Sequence, residues 1–515
     1  MAAYRLGRVD SLIRARQGFV VELFHSTRST ASQVTSKQAI RKGIASDGGL
    51  FVTDSLGEKK VDIARLAGSR YQDIARMVLG TLLPDFTDDE LADCVAGAYG
   101  AQWDDAAITP LKPLGDDFIL ELFHGPTSAF KDVALQILPR FMAKTTAAEA
   151  DERIMILTAT SGDTGKAALA GFADVPGTGI TVFYPDGKVS EVQHLQMATQ
   201  KGSNVQVCAV RGNFDDAQSA VKSIFADGEL AGDLKQNAHT VLSSANSINV
   251  GRLVPQVVYY FAAYAQLLER QEINAGDEVE FCVPTGNFGD ILAGYYAKRL
   301  GLPVSKLTVA SDKNNVLFDF LTTGTYDRNR PFFTTISPSM DILISSNLER
   351  MLYYFAGGDT KLISKLMDDL ASKGRYDVPA DVLGKIQSVF GAGWADEDQV
   401  RAAIKDCWDN NHYVIDPHTA CAYHTLANAE RTPGVPRVIL STASPYKFPR
   451  AVLEALGIEA PASDFACMDK LSEISGTTAP SALRGLENAD VRFTDVIDVP
   501  DMTEYVRDTA TRMAE

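Results

Sequence analysis

Cysteine, histidine and tryptophan are scarce in this chain of 515 residues, at 6, 7 and 3 copies. The cysteines (Cys94, Cys208, Cys282, Cys407, Cys421, Cys467) are scattered and form no CxxC pair. That spacing excludes a disulfide framework and a zinc site, so no metal is expected, and it favours the cytoplasm. No apolar run approaches the length of a membrane span, which argues against a membrane protein. Basic residues are outnumbered, 49 against 66, for a net charge of −17. A nucleic-acid or anionic-membrane surface is therefore not expected, and any anionic ligand must be held by local basic groups and backbone N–H donors.

What is present is ordinary globular protein, 45% hydrophobic and 22% charged, and too long for one core. Arg5, Arg8, Arg14 and Arg16 against a lone Asp10 give the start the charge of a transit peptide. It is short and poor in serine, so residues 1–20 are read as a loosely ordered extension. From Phe19 the text turns structured: FVVELFHSTRS reads as a strand and polar loop, Lys37 to Lys42 as a short helix, and Ser46 to Val52 as a turn feeding a strand. Residues 58–108 read as helices, with Tyr71, Ile74, Ala75 and Val78 on one apolar face.

The most informative stretch is His124-Gly125-Pro126-Thr127-Ser128-Ala129-Phe130-Lys131-Asp132, which follows the apolar run Phe118–Phe123. Gly-Pro ends the strand, and Val133, Ala134, Ile137, Leu138, Phe141 and Met142 then recur at helical spacing. Lys131 stands at the helix entrance, where the dipole disfavours an ammonium and so favours the free amine that Schiff-base chemistry needs. A solvated first-turn lysine would read the same way.

Downstream, three apolar strands each run into a polar turn. Arg153–Thr160 leads to Ser161-Gly162-Asp163-Thr164-Gly165 and a helix, an anion site by its free N–H groups or else a plain strand-to-helix turn. It is no Walker A loop, which would need glycine at Thr160 and Ser or Thr at Ala167, and the dinucleotide GxGxxG spacing is absent. Val279–Val283 leads to Gly286-Asn287-Phe288-Gly289-Asp290, where two glycines let N–H groups converge on an anion. Arg437–Leu440 leads to Ser441-Thr442-Ala443-Ser444-Pro445-Tyr446-Lys447. Between them, Asn246, Ser247, Asn249 and Arg252 precede an apolar helical series. They can cradle a phosphate ester with Arg252 supplying the charge; capping would explain Ser247 or Asn249 but not Arg252. Pro255 suggests that the helix begins near it or kinks there. Residues 303–400 read as mostly helical and yield no chemistry. His418, in Asp416-Pro417-His418-Thr419-Ala420, can orient a group in the site or be structural.

Several of these motifs together resemble the threonine synthase family of pyridoxal-phosphate (PLP) enzymes. HGPTSAFKD is similar to its cofactor-lysine motif, and STR and DGGLFV to its N-terminal signature, with Ser29 where glycine is expected. The resemblance implies an α/β protein of PLP fold type II, tryptophan synthase β-like: two open α/β domains behind an N-terminal α+β domain. It places an N-terminal domain at 21–112, a large PLP domain at 113–150 and 240–515, and a small α/β domain at 151–239. It implies that Lys131 holds PLP covalently. Gly286, Asn287, Phe288, Gly289 and Asp290 grip its phosphate, and the Thr442 hydroxyl meets its ring nitrogen. Ser161, Gly162, Asp163 and Thr164 take the substrate carboxylate. Asn246, Ser247, Asn249, Arg252 and Lys447 serve the substrate phosphate. Serine at 444 replaces the family's histidine, and Tyr446 a small residue.

The implied reaction converts O-phospho-L-homoserine and water to L-threonine and phosphate, the last step of threonine biosynthesis, in a monomer or homodimer. The same fold could instead serve a phospholyase or dehydratase giving 2-oxobutyrate, and the glycine turns alone would suit a nucleotide-binding module.

Overall fold

A computed structural model describes residues 23–146, 152–160 and 162–514. The extension at 1–20 and Ser161 lie outside the described residues. Strands β1 (Phe24–Ser26), β2 (Ser29–Val34) and β3 (Phe51–Val52) form a small antiparallel sheet in the order β2-β1-β3. The helices Ser36–Lys42, Tyr71–Leu82 and Asp88–Ala98 follow within this region. Thr35 and Thr87 start two of them with capping boxes, each side chain accepting from the third residue's N–H while Gln38 and Glu90 reach back. Tyr71, Ile74, Ala75 and Val78 are buried, as the periodicity predicts.

Two larger sheets carry the rest. The six-stranded sheet has the order β14-β11-β10-β15-β5-β4. Its strands are β4 (Leu111–Leu114), β5 (Asp117–Glu121), β10 (Val279–Pro284), β11 (Val304–Ser311), β14 (Phe390–Trp394) and β15 (Arg437–Ser441). All pairs are parallel except β4 with β5. The five-stranded sheet, β16-β8-β7-β6-β9, is parallel throughout. It comprises β6 (Arg153–Ala159), β7 (Thr178–Pro185), β8 (Val205–Arg211), β9 (Thr240–Ser243) and β16 (Val496–Asp498). Every residue of β7, β10 and β15 is buried, the signature of parallel strands covered on both faces. The remaining pair, β12 (Thr325–Asp327) with β13 (Arg375–Asp377), is a short antiparallel ribbon.

Three expectations need correction. The stretch 303–400 carries helices as expected, but it also supplies β11 and β14 to the central sheet. Ser305-Lys306 and the two glycines of Phe-Gly-Ala-Gly-Trp hide the strand pattern. The boundary at 239/240 also fails: β9 and the late strand β16 both join the five-stranded sheet, so residues assigned to the larger unit complete the smaller one. Finally, the helix Val250–Glu269 starts five residues before Pro255, because the Asn249 side chain caps it by accepting from Gly251 N–H at 2.9 Å.

Candidate active site

The carboxyl ends of β5, β6, β10 and β15 bring the motif turns together, as open parallel sheets do. After β5 the chain rounds a turn in which Ser128 has φ of 58° and enters the helix Lys131–Leu135. Asp132 fixes the turn from inside, accepting from Thr127 N–H at 2.8 Å and from the Thr127 hydroxyl at 2.7 Å. Phe130 N–H donates to the Thr442 carbonyl at 2.8 Å, and Ser444 N–H to the Ser128 carbonyl at 3.1 Å. The lysine turn and the end of central strand β15 are thereby stitched side by side, so buried Thr442 is brought next to Lys131's own backbone.

The Lys131 side chain is only 11% exposed. Its Nζ donates to Ser339 Oγ at 3.1 Å and lies 4.0 Å from Asp163 Oδ2. Burial, helped by Lys447 and Arg252 and opposed by Asp163 and Asp132, pushes the amine down to about 8. Burial alone would raise the Asp163 carboxyl, but Lys447 and Lys131 outweigh it and hold that group well below the usual carboxylate range. Lys447 Nζ is 2.8 Å from Asp163 Oδ1 and donates to the Thr127 carbonyl at 3.1 Å.

Beyond β10, Phe288 adopts φ of 60° at the start of the helix Gly289–Arg299, leaving that helix's first N–H groups without intrahelical acceptors. Gly286 has no room for a side chain: a Cβ there would lie 2.9 Å from the Ser339 carbonyl oxygen. This glycine cup abuts the Asn246–Arg252 turn. Asn347 Nδ2 donates to the carbonyls of both Ser247 and Asn287 at 3.1 Å. Arg350, fully buried, donates to Asn347 Oδ1 and the Ile248 carbonyl at 2.6 Å and to the Phe51 carbonyl at 3.0 Å. The glycine turn and the Asn246–Arg252 turn are thus locked edge to edge.

Arg252 is buried at 3% exposure, and Nη1 donates to the Ala245 carbonyl at 2.7 Å. Its Nε has no hydrogen-bond partner, and among the described residues no carboxylate pairs with it. Burial pushes this guanidinium down to about 10. A buried cation without a counter-charge is costly, so the site is built to receive an anion.

Not every expected residue faces the site. Lys447, expected to serve a phosphate, pairs with Asp163 at 2.8 Å. Asp163 turns its carboxylate to Lys447, Lys131 and Gln193. Asn249 is engaged in capping and in donating to the Ile40 and Ser244 carbonyls at 2.9 and 3.1 Å. Asp290 turns into the helix interface, where Tyr259 and Tyr260 donate to Oδ1 at 2.6 and 2.9 Å. Gly162 and Thr164 do lie at the head of the helix Asp163–Phe172, with Gly162 at φ of 141°. Asn246 and Ser247 are partly exposed beside Arg252, and Asn287 is exposed at the rim of the cup. Sequence reading missed Ser339 altogether. It also left open His418, whose Nε2 accepts from Ser339 N–H at 3.1 Å while Nδ1–H donates to Asp416 at 2.7 Å.

Comparison with known proteins decides the family. The sequence model described as "Pyridoxal-phosphate dependent enzyme" matches residues 109–442, and those for "Threonine synthase N terminus" and "Threonine synthase, C-terminal" match 23–99 and 419–506. Threonine synthase of Pseudomonas aeruginosa is 39% identical over 441 residues, covering 85% of this chain and 91% of that protein. The chain belongs to the threonine synthase family.

Human "Threonine synthase-like 1" is 40% identical over 475 residues, spanning 88% of this chain but only 63% of that protein. The crystal structure of PLP-bound threonine synthase from Brucella melitensis superposes with a TM-score of 0.85 at 37% identity, covering 95% of this chain and 99% of that one. Yeast threonine synthase gives the same TM-score and coverage at 32% identity. The chain therefore has the α/β fold of the PLP-dependent enzymes of fold type II, as its motifs implied. The residues present fit the cofactor of this threonine synthase family: a buried amine with a lowered pKa, and a cup that a side chain at Gly286 would close. Among the described residues no helix is long and apolar enough to cross a membrane, and no group of three or more His, Cys, Asp or Glu is placed to hold a metal.

Proposed function

We propose that the chain converts O-phospho-L-homoserine and water to L-threonine and inorganic phosphate. The observation that carries this reading is Arg252, a buried guanidinium without a counter-charge, facing the same space as a Lys131 amine lowered to about 8. One group is suited to a phosphate ester and the other to covalent and proton-transfer chemistry. Asp163 and Lys447 neutralise each other, which leaves Arg252 as the strong anion ligand.

PLP, when bound, supplies an electron sink for charge developing at the substrate's α-carbon. Lys131 is the residue that holds it, Gly286, Phe288 and Gly289 cradle its phosphate with backbone N–H groups, and Thr442 offers the ring nitrogen a hydroxyl, not a carboxylate. The N–H groups at Gly162–Thr164 receive the substrate carboxylate. Lys131 then takes the α-proton on Nζ, a β-proton is removed next by it or a neighbouring group, and protons are returned to the γ-carbon, which becomes the methyl, and last to the α-carbon. Arg252 and Ser247 hold the ester phosphate and stabilise it as it departs from the γ-carbon. Water adds at the β-carbon to complete threonine.

The test is a visible spectrum of the purified protein, borohydride reduction with peptide mapping, and product analysis with phosphohomoserine. The expected results are a reduced adduct on Lys131 and release of threonine with phosphate. An adduct on another residue would overturn the role of Lys131, and 2-oxobutyrate in place of threonine would make the enzyme a phospholyase.

A further inference from the structure

One hydroxyl stands between the Lys131 amine and its nearest carboxylate. Ser339 Oγ is 3.1 Å from Lys131 Nζ and 3.4 Å from Asp163 Oδ2, whereas amine and carboxylate are 4.0 Å apart. The backbone of Ser339 is fixed from two sides. Its N–H donates to His418 Nε2 at 3.1 Å, and its carbonyl oxygen rests against Gly286 in the glycine cup. His418 is in turn set by Asp416, which accepts from Nδ1 at 2.7 Å and also holds the Thr419 N–H and hydroxyl. The short turn Pro338–Met340 thus presents one side chain to the amine at a defined place.

Resting on the assignment of Lys131 made above, we propose that Ser339 is a further catalytic residue. Its hydroxyl, touching the reacting amine, keeps Lys131 from closing a direct ion pair with Asp163, and His418 is the positioning residue that seats it. An ammonium in contact with a buried carboxylate is stabilised in its charged form and yields its proton late. An interposed hydroxyl accepts from the amine and donates to the carboxylate, satisfying both while holding them apart. Asp163 has reason to close the gap, since Lys447 and Gln193 hold Oδ1 and leave Oδ2 directed at the amine. The other charged groups that act on the amine are Lys447 and Arg252, which disfavour its charge, and Asp132, which favours it. The amine in turn acts on buried Asp290.

The test uses the full-length chain stripped of cofactor, with pyridoxal phosphate itself as the probe. The rate of absorbance rise on mixing is followed from about pH 6 to about pH 10, and borohydride mapping identifies the residue modified. In Ser339→Ala the midpoint should move up by about one pH unit, which is roughly tenfold slower capture below the midpoint. Ser339→Thr should keep the wild-type midpoint. His418→Ala should move it in the same direction as Ser339→Ala and add nothing in the double variant.

A midpoint in Ser339→Ala that is unchanged or lower overturns the role of the hydroxyl. A further equal shift in the double variant overturns the positioning role of His418. If the wild-type chain is not modified at Lys131, the underlying reading falls and this inference with it. If it is modified and all variants titrate alike, only the inference falls.

Discussion

At the scale of single residues, the proposed function makes Arg252 the group on which recognition of a phosphorylated substrate turns. Removing a charged donor aimed at an anion in a buried site costs about 2.7–4 kcal/mol, or roughly 10²- to 10³-fold in rate. Arg252→Ala should lose that much kcat/KM for phosphohomoserine in steady-state assays, and Arg252→Lys should regain only part because an ammonium has no planar fork. Kinetics within threefold of wild type would remove Arg252 from the site. Lys131 and Arg252 were legible in the sequence because each sits in a local motif whose turn and helix start are written in neighbouring residues. The pairing of Lys447 is not legible, for the opposite reason. The sequence displays its charge, while the carboxylate that cancels it belongs to Asp163, at the start of the helix that follows β6. Ser339 was invisible because the amine it meets is 208 residues away.

Among elements, the contact between the Gly286 cup and the turn Pro338–Met340 is a close backbone constraint on the site. A methyl at 286 would stand 2.9 Å from the Ser339 carbonyl, so Gly286→Ala must displace one segment or the other. The expected cost is about 1–3 kcal/mol in thermal unfolding. Faster loss of visible absorbance on dialysis should accompany it; retention equal to wild type would show that the turn yields freely. Strands β6, β7, β8, β10 and β15 announce themselves as apolar runs because both faces are covered. β11 and β14 do not, since the first has Ser305-Lys306 directly after its opening valine and the second carries two glycines. Helix starts were less legible than strands. Pro255 points too late; the sequence offers Ser247 or Asn249 as a cap, and the folded chain selects Asn249.

For the whole molecule, the notable feature is the return of the late segment to the five-stranded sheet. β16 pairs with β8, and the helix Met502–Ala514 buries Met502, Val506 and Ala510 among Met155, Phe183 and Cys208. Burying two side chains the size of Met502 and Val506 contributes about 1.5–3 kcal/mol each, a large share of a typical folding free energy of about 5–15 kcal/mol. A chain truncated after Ala489 should therefore expose Cys208, a buried thiol that burial pushes up to about 12 in the intact protein. Mass-spectrometric mapping of thiol labelling measures this, and a Cys208 still protected after truncation would show that the segment is dispensable. Sequence reading placed 240–515 in one unit because Val496-Ile497-Asp498 is too short and too polar at its end to declare a partner so far upstream.

That pairing also sets an order on biosynthesis. Arg211 and Asp498, which meet across the completed ladder, are 287 residues apart in the polypeptide. While the ribosome works through the intervening length, Val205–Arg211 forms a bare rim whose N–H and C=O groups would accept any strand that reaches them first. Mispairing of nascent molecules is thus a hazard for most of translation, and arrival of the closing strand ends it.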